Sequence, residues 1–324
     1  MKKKRHHYVP ICYLKTFCDE RGEIIVYRKD KIDEVLHQKP DNTALRRYYY
    51  SQPMLNGGID HNALEDLFSK AEATWPGIMR ALGSRENVND LLESIFAFIG
   101  LQRARVPAAR DAVERLLAEQ VKATARRLYR EGKLPPMPEG AEDLLDHLEV
   151  AIDPHQSIHA MAHIVKSMGR LFYALGIGVL VNQTSTPFLS SDNPVIWFDP
   201  TFAEGQMRPY NVKLDGQIML LFPVGPDLLI YGDNHMKERF KRVGLEYFDI
   251  DALEFVLRIN RQICRFANEA VFAQKPGQEA MIRKYANVSP MLKTDIIDTA
   301  EGEVMNHRTV FGQRRPKARW PVSR

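Results

Sequence analysis

The sequence predicts an α+β fold, mainly helical, with a small mixed or antiparallel sheet formed by an N-terminal β element and strands within residues 179–231. Three observations carry that expectation. Apolar residues recur at helical spacing from about residue 60 to 176. Short β-branched runs punctuated by Pro, Gly, Asp and Asn fill 179–231, and residues 23–28 read as a strand far upstream of both. With 324 residues and 44% hydrophobic content, the chain can bury a sizeable core. The expected organisation is a single α+β domain over 1–275, with a closing helix at 251–274, followed by a C-terminal extension at 276–324 that ends in a basic tail.

The elements follow in order. His6-His7-Tyr8-Val9-Pro10 runs on to Tyr13, Leu14 and Phe17 at the edge of an apolar segment. Adjacent side chains point opposite ways on a strand, so one of the two histidines should face inward. Asp19 to Gly22 reads as a turn, and Glu23-Ile24-Ile25-Val26-Tyr27-Arg28 as a strand. From Asp60, residues Leu64, Leu67, Phe68, Ala71, Trp75, Ile78, Met79 and Leu82 mark an amphipathic helix, kinked at Pro76. A second helix fits 89–105, and a third starts at Pro107, which suits a first helical turn, and stops near Gly132. Pro135, Pro136 and Pro138 turn the chain without separating domains. Residues 141–152 and 155–176 read as helices divided by Asp153-Pro154, and 179–181, 188–190, 195–198, 218–222 and 228–231 as strands. No repeat of fixed period is visible, which argues against a solenoid or propeller.

Composition narrows the function classes. No apolar stretch reaches the ~18 to 20 residues of a membrane span, so no membrane partner and a cytoplasmic location are expected. Cys12, Cys18 and Cys264 form no CxxC pair and no metal quartet. There is no GxxxxGK[ST], GxGxxG or GxSxG motif, which removes the common NTPase, dinucleotide and α/β-hydrolase readings. The net charge of +4 conceals a segregation: residues 2–5 carry four cations, and 307–324 carry six with no acid. Basic termini on an acidic body fit transient contact with nucleic acid, or solvated tails. Oligomeric state is not legible.

The histidine segment, then Gly22, Ile24, Val26 and Tyr27, and far downstream Ser191-Asp192-Asn193-Pro194-Val195, together resemble the DUF4238 family of bacterial proteins. Leu101-Gln102-Arg103 before Pro107, and the late helix carrying Asn260, are similar to that family in order and separation. The resemblance runs over about residues 6–275 and implies a cytosolic bacterial or phage-borne protein. It implies no reaction, because the family is defined without an assigned function. Cys12 stands where an amide or apolar residue is more usual.

The loop at Ser191, Asp192 and Asn193 lies between apolar strands, where it can present a carboxylate, an amide and a hydroxyl, although Asp and Asn before Pro also form turns on their own. If Asp192 meets His7, the pair could act as a general base with its orienter, or as ligands to a divalent ion with Glu65. Magnesium or manganese would suit these donors better than zinc. Arg103 could clamp a phosphate, with His6 and Ser191 contacting substrate and Asn193 donating to it. His155, His159 and His163 share a helix face but lack an HExxH motif, so a polar face is the plainer reading. The expectation is a phosphodiester hydrolase of nuclease type, metal-dependent, acting on nucleic acid or nucleotides. The alternative is a non-catalytic module that binds nucleic acid or protein.

Overall fold

Leu220, Leu221 and Phe222 are all buried, yet the first and third enter one hydrophobic core while the middle residue enters another. The two-residue period of a strand makes this unavoidable for a sheet covered on both faces. In a computed structural model of the chain, the described residues are 4–320 apart from 139, 141–143, 300–301, 315–316 and 319.

The central sheet has five strands in the order Glu246–Ile250, Gly176–Asn182, Leu228–Asp233, Met219–Pro223 and Ile196–Phe198. Only the first pair is parallel. Beside it lies a four-stranded antiparallel sheet in the order Val35–Gln38, Ile24–Arg28, Ala270–Ala273 and Ser190–Ser191. The N-terminal strand therefore reaches the 179–231 region through Ala270–Ala273, a strand where the sequence pattern predicts the end of a helix. That helix stops at Phe266. Its pattern gives way at Asn268-Glu269 to the buried run Ala270-Val271-Phe272-Ala273.

One core gathers Tyr13, Phe17, Trp75, Phe98 and Phe222 under the helices Ala63–Gly83, Leu92–Arg105 and Pro154–Ala174. Trp75 stacks on Phe98 with ring centroids 3.8 Å apart. The second core sets Leu180, Leu221 and Leu229 against Ile259, Ile263 and Phe266 of the helix Leu253–Phe266. Asp153 caps the Pro154–Ala174 helix by accepting the His155 N–H at 3.0 Å, and the Pro107–Arg130 helix starts on its proline. Pro76 lies within a continuous helix. Within 141–152, Leu144–His147 is helical and 141–143 lies outside the described residues.

The mainly helical expectation is overturned. About 42% of the chain is helical and about 23% is strand, with fifteen strands in five sheets among the described residues, so the fold is mixed α/β. Much of the difference is a hairpin of Ser289–Thr299 and Gly302–Gly312 in the C-terminal extension. Its apolar residues come as adjacent pairs, Met291-Leu292, Ile296-Ile297, Val304-Met305 and Val310-Phe311, separated by polar runs, so they show no period of two. The basic tail is also engaged: Arg308 pairs with Asp295 at 2.9 Å, Arg314 with Glu269 at 2.6 Å, and Lys317 with Asp111 at 2.8 Å and Glu114 at 2.5 Å. Lys2, Lys3, Arg315, Arg319 and Arg324 lie outside the described residues. Among the described residues no helix is long and apolar enough to cross a membrane.

Candidate functional site

The short strand Arg5–His7 pairs with Leu45–Arg47, and strand alternation sends its two histidines apart. His6 is buried, stacks on Tyr50 with ring centroids 5.6 Å apart, and accepts the Tyr50 N–H at Nδ1 over 2.8 Å. His7 is half-buried, with Nε2 3.3 Å from the Asp41 carbonyl oxygen. Burial lowers the pKa of its imidazole, against the hydrogen bond to Asp41. The His7 carbonyl accepts a hydrogen bond from Arg105, which also pairs with Glu72 at 2.6 Å.

The two sequence motifs do meet. Tyr13, in the helical turn after Pro10, donates its hydroxyl to the Pro223 carbonyl at 2.6 Å and shares a 2.6 Å hydrogen bond with Ser190. Ser191 accepts the Asn193 N–H at 3.1 Å. Asp192 is fully buried, and its two carboxylate oxygens accept the N–H groups of Asn268 at 2.8 Å and Glu269 at 2.7 Å. Burial, then the nearby Glu269, pushes its carboxyl up to about 6, against those two N–H donors and Lys29. Lys29 is buried too, and donates to the Ala267 carbonyl at 2.8 Å, the Val288 carbonyl at 2.5 Å and Ser289 Oγ at 3.3 Å. Loss of hydration brings its ammonium down to about 8.

Asn193 donates to the Tyr210 hydroxyl at 2.6 Å and the Phe266 carbonyl at 2.8 Å, while its oxygen accepts from Arg103 at 3.3 Å. Arg103 is buried against the rings of Tyr210, 4.0 Å to the centroid, and Trp197, 5.4 Å. Among the described residues it has no carboxylate partner, and burial lowers its pKa. Arg103 therefore braces a turn through Asn193 and two aromatic faces.

Next to this scaffold opens a pocket of about 600 Å³, within the usual range for small ligands. Tyr8 lines it, not His6 or His7; Asn268 and Glu269 line it, not Asp192. Val26, Leu36 and Phe272 give an apolar wall, Gln38, Asn42, Asn287 and Gln313 supply amides, and Arg28, Lys29 and Arg314 supply cations, with Arg28 paired to Asp30 at 2.5 Å. Glu269 accepts from Arg46 at 2.7 Å and from Arg314 at 2.6 Å. Asn268 is 7% exposed, and its side-chain nitrogen has no hydrogen-bond partner among the described residues. A buried donor left unpaired costs on the order of 1–3 kcal/mol, which makes this amide the least satisfied polar group of the pocket.

Residues 5–277 match the sequence profile of a family described as protein of unknown function (DUF4238). The chain belongs to the DUF4238 family. No curated protein and no solved structure matches it. In this DUF4238 chain the matched region supplies Tyr8, Lys29, Asn268 and Glu269, while Asn287, Gln313 and Arg314 come from beyond it.

Of the residues singled out in the sequence, Asp192 holds the Asn268–Glu269 turn that forms part of the pocket wall, Ser191 and Arg103 hold the turn at Asn193, and His6 holds the backbone at Tyr50. Glu65 sits in the first turn of the Ala63–Gly83 helix and acts electrostatically on Tyr50. Among the described residues no three His, Cys, Asp or Glu side chains are arranged to hold a metal ion, so His7, Asp192 and Glu65 do not form a ligand set. The sequence reading missed Lys29, Asn268 and Glu269. A polar Asn-Glu pair between an apolar helix and an apolar run is a turn signal that could have found the last two.

Proposed function

We propose that the protein is a binding module whose Tyr8–Asn268 pocket takes a mononucleotide. The amide of Asn268 carries this reading: its nitrogen is shut off from water and has no partner among the described residues, so a turn of the side chain into the pocket it lines would let an acceptor from outside the chain satisfy it. The rest of the pocket supports that ligand class. A planar, partly apolar base suits the Val26–Leu36–Phe272 wall, a ring carbonyl or nitrogen could accept from Asn268, and a phosphate could compete with the Asp30 and Glu269 carboxylates for Arg28 and Arg314. Phosphodiester hydrolysis through His7 and Asp192 would need both groups free in one cavity. Instead Asp192 spends both oxygens on backbone N–H groups, and the His7 ring sits at the Asp41 carbonyl.

The test is binding of nucleoside monophosphates by calorimetry and thermal shift, with Asn268→Ala as the variant. A bound nucleotide should raise the melting temperature of the wild type. Removing the amide should weaken that binding roughly three- to tenfold, the range of one neutral hydrogen bond. It should leave the melting temperature of the free protein unchanged or higher, since the native fold makes no bond with that nitrogen. If no monophosphate shifts the melting curve, the proposal fails.

A further inference from the structure

A second cleft, of about 970 Å³, opens between the 202–213 loop and the C-terminal hairpin. Four cations line it, Arg208, Lys213, Arg265 and Arg308, against a single acid, Glu204. That acid is already engaged: it accepts the Tyr285 hydroxyl at 2.9 Å and lies 3.6 Å from Arg265 Nε. Arg265 is 3% exposed, held by the Glu204 carbonyl at 2.7 Å and the face of Phe311 at 4.0 Å. Arg308 pairs with Asp295 but faces the same space. Arg208 and Lys213 are exposed, and neither side chain has an ion pair or hydrogen bond among the described residues. On the same wall Phe202 is 47% exposed.

Unspent cations beside an exposed aromatic ring form the combination that holds an unpaired nucleic-acid strand, the cations following the phosphates while a base stacks on the ring. From this juxtaposition we infer that the cleft binds single-stranded nucleic acid, with Arg208 and Lys213 on the phosphodiester backbone and Phe202 as the stacking platform. A duplex keeps its bases stacked inside and offers Phe202 nothing. Of the basic tail, Arg314 and Lys317 lie outside this cleft and pair with Glu269 and Asp111. The inference does not depend on the Tyr8–Asn268 pocket, which has no lining residue in common with the cleft, although Ala286, Asn287 and Gln313 of the pocket are chain neighbours of Tyr285, Val288 and Gly312 of the cleft.

Fluorescence anisotropy of the full chain with labelled oligo(dT), oligo(U) and a duplex of equal length, at several salt concentrations, tests it. The single strands should bind and the duplex should bind more weakly. In the double variant Arg208→Ala, Lys213→Ala the slope of log K against log salt should shrink by about 1.4, the loss of two single-strand phosphate contacts. Phe202→Ala should weaken binding by roughly tenfold without changing that slope. All three side chains are exposed, so circular dichroism and melting temperature should match the wild type. The inference is overturned if the double variant retains the wild-type slope, if Phe202→Ala binds as tightly as the wild type, or if polyphosphate of equal charge competes as well as the oligonucleotides.

Discussion

At Asp192 the carboxylate serves the backbone: it satisfies two N–H groups that the turn at Asn268 and Glu269 would otherwise bury unpaired. Its protonation then carries a sign that can be checked. The folded carboxyl is raised to about 6 from an ordinary value of 3.8, chiefly by burial. Between those limits the native state keeps a proton that the unfolded chain has released, so through this group stability rises as pH falls from 6 towards 4. Asp192→Asn abolishes the titration and turns an amide donor toward one of the two N–H groups, at a cost of roughly 1–3 kcal/mol. In urea melts across that window, the stability of the wild type relative to Asp192→Asn should grow on acidification. A relative stability that falls on acidification would mean that the N–H donors and Lys29 outweigh burial. The importance of Asp192 was legible from Ser-Asp-Asn-Pro, but its role was not, because the turn it pins lies 76 residues away in the chain for Asn268 and 77 for Glu269.

At the level of elements, the helices were legible where a wide apolar stripe faces a core, as in Ala63–Gly83 and Pro154–Ala174. The strands of the hairpin were not. Lys293, Thr294 and Asp295 face Arg308, His307 and Asn306 across it, so cross-strand pairs replace an apolar period there. The strand start at Gly176 was also missed, since the helical pattern reads on through that glycine, two residues past the helix end at Ala174. Its reason is steric: a Cβ there would overlap the backbone of Met236 and Lys237. Gly176→Ala should therefore destabilise the central sheet by about 1–3 kcal/mol, the range of overpacking, even though alanine has the smallest side chain of any chiral residue. Gly205→Ala, where a Cβ meets nothing within 4 Å, is the control in the same urea titration. Equal midpoints for the two variants would show that the Met236 segment can move aside.

Across the whole molecule, the charge segregation visible in the sequence resolves into complementarity within one chain. Removing the ten terminal cations from the net +4 leaves −6 on the remaining residues, and Glu269, Asp111 and Glu114 are acids of that body which the tail reaches. Composition alone could register the opposite signs but not that they meet, because the pairing depends on a hairpin that returns the chain to the edge of the pocket. Arg314 shows what this does for the candidate ligand. Its ion pair with Glu269 is solvent-accessible, with side chains 40% and 29% exposed, so Arg314→Ala should cost less than about 1 kcal/mol of stability. Its effect on binding should be selective. If Arg314 faces the ligand's phosphate, its removal weakens a nucleoside monophosphate while leaving the matching nucleoside nearly unchanged, because only the former presents a dianion to the guanidinium. Calorimetry of both ligands on wild type and variant separates the cases. Equal losses for nucleotide and nucleoside would place the phosphate elsewhere in the pocket, where Arg28 and Lys29 are the other cations among the lining residues.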